Sequence, residues 1–359
     1  MKIRKAYPTI ADAVELPHIV KLADNLYGAA FFLMKLIPAR FILDHARRDG
    51  FIEPRMPIIE TTSGTFGLAL AILSALHDYR LILVSDPAID LPLLRRMEDL
   101  GARVEIVLEP APVGGYQRAR LDRMAALQVE FPDHFWPSQY DNPHNPGAYA
   151  PFVELLVESI GQIDCVVGAV GSGGSICGTS SFLRVLFPHL HVIGVDTHGS
   201  VLFGQPDQKR MLRGLGNSLM PKNMDHTLFD EVHWVSAAEA FNATRELHRS
   251  KALYMGGTSG AAYMVARWYA KQHPDANVVV LLPDEGYRYE STIYSDDWLR
   301  EQGVWLKRAP TEPIHVTLPS EATNMTSQLQ GKGVWSHMNW KRRSYQEVVG
   351  TPFEAEVLV

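Results

Sequence analysis

Apolar runs of strand length alternate along the chain with segments of helical character. Each run lies beside Gly, Pro or Asp, and they are Met56–Glu60, Arg80–Val84, Arg103–Val107, Cys165–Val170, His191–Val195 and Asn277–Leu282. Leu68–Leu76 and Leu91–Leu100 between them suit helices. Parallel strands that are buried on both faces read as uninterrupted apolar runs, and their alternation with helices is typical of α/β folds. Two such series, before and after about residue 150, therefore predict parallel sheets covered by helices.

The pattern changes near the end of the chain. Beyond about Trp305 it dissolves into sequence that contains Pro, Thr and Ser and ends in Phe353-Glu-Ala-Glu-Val-Leu-Val. Two interpretations stay open for this tail. It covers a neighbouring surface, across an oligomer interface for example, or parts of it are disordered.

Composition and charge narrow the class of protein. The chain has 359 residues, of which 46% are hydrophobic and 21% charged, and its net charge is −6. This suits one large α/β unit or two packed ones, and it provides no electrostatic footprint for nucleic acid or an anionic membrane. The two cysteines, Cys165 and Cys177, lack the spacing of a metal site or a disulfide framework. With no signal-like or membrane-spanning stretch, we expect a cytoplasmic protein without a metal.

The first candidate for chemistry is Glu60-Thr-Thr-Ser-Gly-Thr-Phe-Gly67, which joins a predicted strand to a helix. Such a turn directs backbone N–H groups and the positive end of a helix dipole at an anion, and a substrate carboxylate is a natural ligand. The alternative is a Ser/Thr N-cap whose glycines only form the turn.

A second Gly-rich loop is Gly168-Ala-Val-Gly-Ser-Gly-Gly-Ser175. Its glycines allow close backbone approach to a phosphate, and Ser172 and Ser175 add donors. A tight structural turn is one alternative. A dinucleotide site is another, because Asp196 ends the next strand, but Ile176 stands where the third fingerprint glycine belongs.

Gly256-Gly-Thr-Ser-Gly-Ala-Ala262 and Leu281-Leu-Pro-Asp-Glu-Gly286 continue the series of strand-end loops. Ligands of open α/β sheets bind at the carboxyl ends of the strands. The convergence of these loops therefore predicts a ligand site without identifying the ligand.

The order of these segments resembles the cysteine synthase family of fold type II enzymes, which depend on pyridoxal 5′-phosphate (PLP). The resemblance covers most of residues 16–300. The first loop is similar to the family's Thr-Ser-Gly-Asn-Thr-Gly motif, and Gly171-Ser-Gly-Gly-Ser175 is similar to its Gly-Thr-Gly-Gly-Thr phosphate loop. The other similar segments are Gln139-Tyr-Asp-Asn-Pro-His-Asn-Pro146, Gly214-Leu-Gly216, Gly257-Thr-Ser-Gly-Ala-Ala262 and Pro283-Asp-Glu-Gly-Tyr-Arg-Tyr-Glu-Ser-Thr292.

The family's essential lysine corresponds to Lys35, at the start of a predicted helix that runs to Asp49-Gly50. Leu33, Leu36 and Ile37 replace the serine, aspartate and arginine that usually surround this lysine. In a rival alignment, Phe31–Leu36 belongs to the preceding strand and the catalytic segment is deleted.

The resemblance implies roles for individual residues. Lys35 is the catalytic residue, which holds PLP and then takes the α-proton as a general base. The other expected cofactor ligands are Thr65, Gly171, Ser172, Gly173, Gly174, Ser175 and Thr258. Thr65 replaces the family's asparagine, and Thr258 faces the pyridine nitrogen. The expected substrate ligands are Thr62, Ser63, Gly64, Thr65, Gln139 and Gly214.

The resemblance also implies an architecture like that of the tryptophan synthase β-subunit. We expect two open, mostly parallel sheets flanked by helices. Residues 1–45 and 150–300 form a larger PLP-binding domain, residues 46–149 a smaller mobile domain, and residues 301–359 a C-terminal extension. A homodimer is expected.

The implied activity is β-replacement on an activated serine such as O-acetyl- or O-phosphoserine. It gives cysteine or another β-substituted alanine through an aminoacrylate, and the nucleophile is left open between sulfide and an amine. The alternatives are a β-elimination lyase, such as a cysteine desulfhydrase or a serine/threonine dehydratase, and a non-catalytic relative without the lysine. A nicotinamide-dependent oxidoreductase is the third.

Overall fold

A computed structural model describes residues 6–53, 55–62, 64–112, 115–212, 214–328 and 334–350. Ser63, one of the expected substrate ligands, lies outside the described residues. The strands are β1 (His18–Ala23), β2 (Leu26–Ala30), β3 (Pro57–Thr61), β4 (Arg80–Ser85), β5 (Arg103–Ile106), β6 (Cys165–Ala169), β7 (His191–Thr197), β8 (Glu231–Val235), β9 (Val278–Leu282), β10 (Ile314–His315) and β11 (Ser336–Asn339).

Helices follow most of these strands, as expected for an α/β protein. They are α1 (Ile10–Val14), α2 (Leu36–Arg48), α3 (Thr65–His77), α4 (Leu91–Asp99), α5 (Gly115–Glu130), α6 (His144–Gly147), α7 (Ala150–Ile160), α8 (Gly174–Leu186), α9 (Ala237–Lys251), α10 (Gly257–Gln272), α11 (Asp296–Glu301), α12 (Pro319–Gln328) and α13 (Tyr345–Val349). Short 3-10 turns occur at Val201–Phe203, His226–Leu228 and Tyr287–Tyr289.

The larger sheet has the strand order β1-β2-β9-β6-β7-β8-β11-β10. Its central strands, from β2 through β9, β6 and β7 to β8, are parallel, whereas β1 and β11 pair antiparallel with their inner neighbours. Every residue of β6 and β9 is buried, which explains why these strands have continuous apolar sequences.

The smaller sheet has the order β3-β4-β5 and is parallel. Helix α3 follows β3, and its residues from Phe66 to Ser74 are buried. Phe66 and Leu68–Leu73 form an apolar core with the helix α2 residues Leu36, Ala39 and Ile42. The expected fold class, two mostly parallel sheets flanked by helices, is confirmed.

Contacts divide the chain into two compact units. The first comprises Met1–Pro17 and Phe31–Ala148 and contains the smaller sheet, and the second comprises His18–Ala30 and Tyr149–Val359 and contains the larger sheet. The domain boundaries expected from the sequence, and the mobility of the smaller domain, stay predictions.

The region after Trp305 has secondary structure that the sequence pattern did not predict. Strand β11 extends the larger sheet by pairing with β8, and β10 pairs with β11. In its described part, the tail therefore covers a sheet edge of its own chain. No described helix is long and apolar enough to cross a membrane. Cys165 and Cys177 are both buried, free thiols.

Candidate active site

Lys35 lies directly before helix α2. Strand β2 ends at Ala30, so Phe31–Leu36 is not part of that strand, and the helix ends at the C-cap residue Asp49. The predicted helix is confirmed, and the rival placement of Phe31–Leu36 on a strand is wrong. The lysine is half-buried, and burial lowers the pKa of its ammonium group to about 8. The neutral, nucleophilic amine of Lys35 is therefore far more populated near neutral pH than that of an ordinary lysine, although the protonated form still predominates at pH 7.

The residues beside Lys35 explain its unusual sequence context. Leu33, Leu36 and Ile37 are all buried, and Leu33 and Leu36 belong to the apolar core of their unit. These positions pack against hydrophobic neighbours, which accounts for leucine and isoleucine where the family pattern has polar residues. Burial of the Lys35 amine is what lowers its pKa.

The loop after β3 combines a structural cap with an open helix end. The Thr62 hydroxyl accepts hydrogen bonds from the backbone N–H groups of Gly64 (3.2 Å) and Gly67 (3.3 Å). Thr62 therefore caps the first turn, as the structural interpretation of this loop predicts. Helix α3 begins at Thr65. Its N-cap residue is Gly64, which has no side chain to cap the helix. Backbone donors at this helix end suit a carboxylate.

Gln139 lies on a segment that runs beside strand β3. The backbone N–H of Phe135 donates to the carbonyl of Pro57, and Ile59 donates back to Phe135, both at 2.9 Å. Gln139 itself is buried. Its backbone N–H donates to the carboxylate of Glu60 (3.2 Å), and the Asn145 amide donates to its carbonyl (2.5 Å).

Glu60 is the residue of this region for which the sequence suggested no role. It is buried on β3, and burial raises the pKa of its carboxyl group to about 7 against the effect of several hydrogen bonds. The available signal was a charged residue near the end of an otherwise apolar run, because buried carboxylates need partners.

In the second unit, the glycine-rich loop joins β6 to α8. Gly173 is the N-cap residue of α8, with a φ of 80°, and no side chain caps this helix. A Cβ atom at Gly173 would lie 2.9 Å from the Asn223 carbonyl oxygen, and one at Gly171 would lie 3.0 Å from that of Gly214. Ser172 and Ser175 are buried beside these glycines, and Ser175 interacts with the Tyr149 phenol. These features fit a phosphate group: the glycines leave no room for a side chain, the serine hydroxyls are buried, and the N–H groups at the start of the helix have no side-chain cap.

Two further segments, Gly214–Gly216 and the start of helix α10, lie close to this loop or to each other. The N–H of Gly216 donates to the Val170 carbonyl (2.8 Å), and Gly214 and Gly216 both have a φ of 74°. A Cβ atom at Gly214 would lie 3.6 Å from Cγ2 of Thr258, the buried second residue of α10. The structure therefore brings the phosphate-loop candidates, Gly214 and Thr258 together in the second unit. Lys35, Thr62, Gly64, Thr65 and Gln139 belong to the first.

A cluster of histidines around Glu231 resembles a metal-ligand set. Possible ligand atoms of Glu231, His233 and His337 lie within 4.8 Å of one another. However, the Trp335 indole N–H donates to Nδ1 of His233 (3.0 Å), and an indole can only donate. The proton of neutral His233 is therefore on Nε2, directed at Glu231 (3.3 Å), which leaves this ring no lone pair for a metal. The cluster acts as a hydrogen-bonded network where the tail joins the larger sheet.

Comparisons with known proteins agree with this geometry. A family model described as pyridoxal-phosphate dependent enzyme matches residues 11–284. The N-(2-amino-2-carboxyethyl)-L-glutamate synthase of Cupriavidus metallidurans is 35% identical over 268 residues, which cover 73% of this chain and 79% of the relative.

Solved structures share the fold. The O-acetylserine dependent cystathionine beta-synthase of Helicobacter pylori has a TM-score of 0.74 at 27% identity and covers 81% of this chain and 100% of its own. O-acetyl serine sulfhydrylase isoform 3 of Entamoeba histolytica has a TM-score of 0.74 at 22% identity and covers 85% of this chain and 98% of its own.

Proposed function

Because the chain belongs to the family of pyridoxal-phosphate dependent enzymes, we propose that it catalyses β-replacement on an activated serine with an amine as the nucleophile. The observation that carries the choice of nucleophile is the similarity to the C. metallidurans synthase. The product in that enzyme's name is an alanine unit joined through its β-carbon to the nitrogen of glutamate. The family assignment removes the nicotinamide-dependent alternative.

The proposed roles follow the two units of the chain. In the first, Lys35 would hold the cofactor, and its neutral amine would take the α-proton of the amino acid. The low pKa of its buried amine supports both roles. Backbone donors from Gly64 to Thr65, with Thr62, Ser63 and Gln139, bind the substrate carboxylate.

In the second unit, the Gly171–Ser175 loop would hold the phosphate, and Gly214 would line the substrate entrance. The Thr258 hydroxyl would hold the pyridine nitrogen. When bound, PLP supplies an electron sink for the α-carbon. A neutral hydroxyl at Thr258 leaves that sink weak, which suits loss of a β-substituent over deeper carbanion chemistry. A cytoplasmic location stays a prediction.

The donor and the nucleophile are tested together. Purified holoenzyme is incubated with O-acetyl-L-serine or O-phospho-L-serine and with either L-glutamate or sulfide, and products are identified by mass spectrometry. We expect N-(2-amino-2-carboxyethyl)-L-glutamate: the Cβ–O bond breaks, acetate or phosphate leaves with the electron pair, and the glutamate nitrogen forms the Cβ–N bond and releases a proton.

Other outcomes would count against this proposal in distinct ways. Faster formation of cysteine from sulfide would identify a cysteine synthase. Pyruvate and ammonia in the absence of a nucleophile-dependent product would identify a β-elimination lyase. No turnover of any donor would favour the non-catalytic relative.

We also propose that the protein is a homodimer, since dimers are common in the family that the sequence resembles. Sedimentation velocity at micromolar concentration is expected to give a single species of twice the chain mass. A monomer across the whole concentration range would contradict this.

A further inference from the structure

Glu60 is a buried carboxylate that is surrounded by N–H donors. Its Oε1 accepts from the backbone N–H of Thr61 (2.8 Å) and the indole N–H of Trp136 (3.1 Å), and its Oε2 accepts from the backbone N–H of Gln139 (3.2 Å). The backbone of Ser138 donates a further hydrogen bond. Among the described residues, no ion pair includes Glu60. Burial raises the pKa of this carboxyl group to about 7, and these N–H donors oppose that rise by stabilising the ionised form. Most of the donors come from one short segment, residues 136–139.

That segment has an unfavourable backbone conformation. Ser138 has a φ of 49°, in the left-handed region that costs a residue with a Cβ atom about 1–2 kcal/mol. In this turn, the consecutive N–H groups of Ser138 and Gln139 both point at Glu60, as in the backbone concavities that bind anions. Strained conformations persist where surrounding interactions determine them, and the Glu60 carboxylate supplies that interaction here.

The result is that the main chain of Gln139 is held on both sides. Its N–H is bound by Glu60 and its carbonyl by the Asn145 amide. Glu60 also lies two positions before Thr62 on the same strand, so one carboxylate joins the two segments that carry the proposed substrate-carboxylate ligands of this unit.

We propose that Glu60 is a positioning residue, which fixes the Gln139 turn relative to the Thr62–Thr65 loop so that both present their donors to the carboxylate of the amino-acid substrate. The inference rests on the proposed function. It adds a residue that does not touch the substrate and acts through Gln139.

The test is Glu60→Gln, which keeps the shape of the side chain. One oxygen becomes an NH2 group that faces N–H donors, so the turn loses an acceptor and gains a repulsive contact. With the holoenzyme and the donor that the wild type uses, we expect KM for the donor to rise about tenfold while kcat changes less than about threefold. PLP content and KM for the nucleophile are expected to stay at wild-type values.

Glu239→Gln is the matched control. Glu239 is also a buried carboxylate that accepts backbone N–H groups, from Ser236 and Trp335 (both 2.8 Å), but it lies in the second unit at the start of α9. Both variants are expected to lower the melting temperature. Only Glu60→Gln is expected to raise KM for the donor.

The outcomes separate this inference from the proposed function. Wild-type KM in a folded, PLP-loaded Glu60→Gln enzyme, or an equal loss of kcat and of affinity for every ligand, would overturn the positioning role. If Glu60→Gln does not fold, Glu60→Asp decides, because it keeps the charge and shortens its reach. A raised donor KM with near-normal kcat in that variant supports the role, and a wild-type KM contradicts it. A wild type without β-replacement activity would instead refute the proposed function.

Discussion

Replacing Lys35 with alanine is expected to lower β-replacement turnover by about 10³-fold or more. The reason is that the substitution removes the side chain that both attaches the cofactor and takes the α-proton. The wild type should be yellow near 410 nm, and borohydride should fix PLP on a peptide that contains Lys35. Lys35→Ala should leave no borohydride-fixed PLP, and any cofactor that it retains should be held only by non-covalent contacts.

Lys21→Ala is the control, since Lys21 is an exposed lysine on strand β1 and should be replaceable without loss of activity or colour.

The pH dependence of PLP attachment provides a second readout. With a pKa of about 8, the Lys35 amine is largely protonated at pH 7 and largely neutral at pH 9. Attachment of PLP to the apoprotein should therefore accelerate as the pH rises through about 8. A colourless wild type that PLP does not reconstitute would refute the catalytic role of Lys35.

The parts of the fold that the sequence predicts depend on residues close together in the chain, and the unpredicted parts depend on contacts between residues far apart in the sequence. Strands β6 and β9 were predicted because every residue of each is buried, so the apolar run is itself the signal. Strand β8 carries Glu231 and His233, which break the apolar pattern. His233 is buried and Glu231 is partly buried, and their partners come from β11, which pairs with β8 and brings His337 and the Trp335 N–H. No local pattern predicts such a network.

The candidate site also has one part that a local sequence pattern predicts and one part that depends on contacts far apart in the sequence. The glycine-rich loops were recognisable because close backbone approach requires glycine within a short segment, and the structure confirms a left-handed Gly173 before α8. The support for Gln139 was not recognisable in this way. It depends on Ser138 adopting a positive φ, and the Glu60 carboxylate that stabilises this turn lies on a strand far away in sequence. Serine has no local preference that indicates such a turn.

Gly173→Ala is expected to weaken PLP binding by about 10²-fold, which corresponds to roughly 2.7 kcal/mol. Two effects add at this position. The φ of 80° disfavours any residue with a Cβ atom, and that atom would lie 2.9 Å from the Asn223 carbonyl oxygen and 3.1 Å from Cα of Met224. These neighbours are backbone atoms and do not rotate away, so the loop itself must shift. The N–H groups at the start of α8 then lose their alignment with the phosphate.

Gly303→Ala separates the two effects. Gly303 also has a positive φ, 68°, but among the described residues no heavy atom beyond its own chain neighbours lies within 4 Å of the added Cβ. It should therefore lower the free energy of unfolding by about 1 kcal/mol and leave PLP affinity unchanged. Both variants are compared by denaturant unfolding of the apoprotein and by titration with PLP. If Gly173→Ala lost stability like Gly303→Ala but bound PLP as the wild type does, the strained turn would serve folding alone and the phosphate would bind elsewhere. A selective loss of PLP affinity in Gly173→Ala would instead place the phosphate at this turn, because Gly303→Ala has the same kind of backbone strain without the clash with residues 223–224.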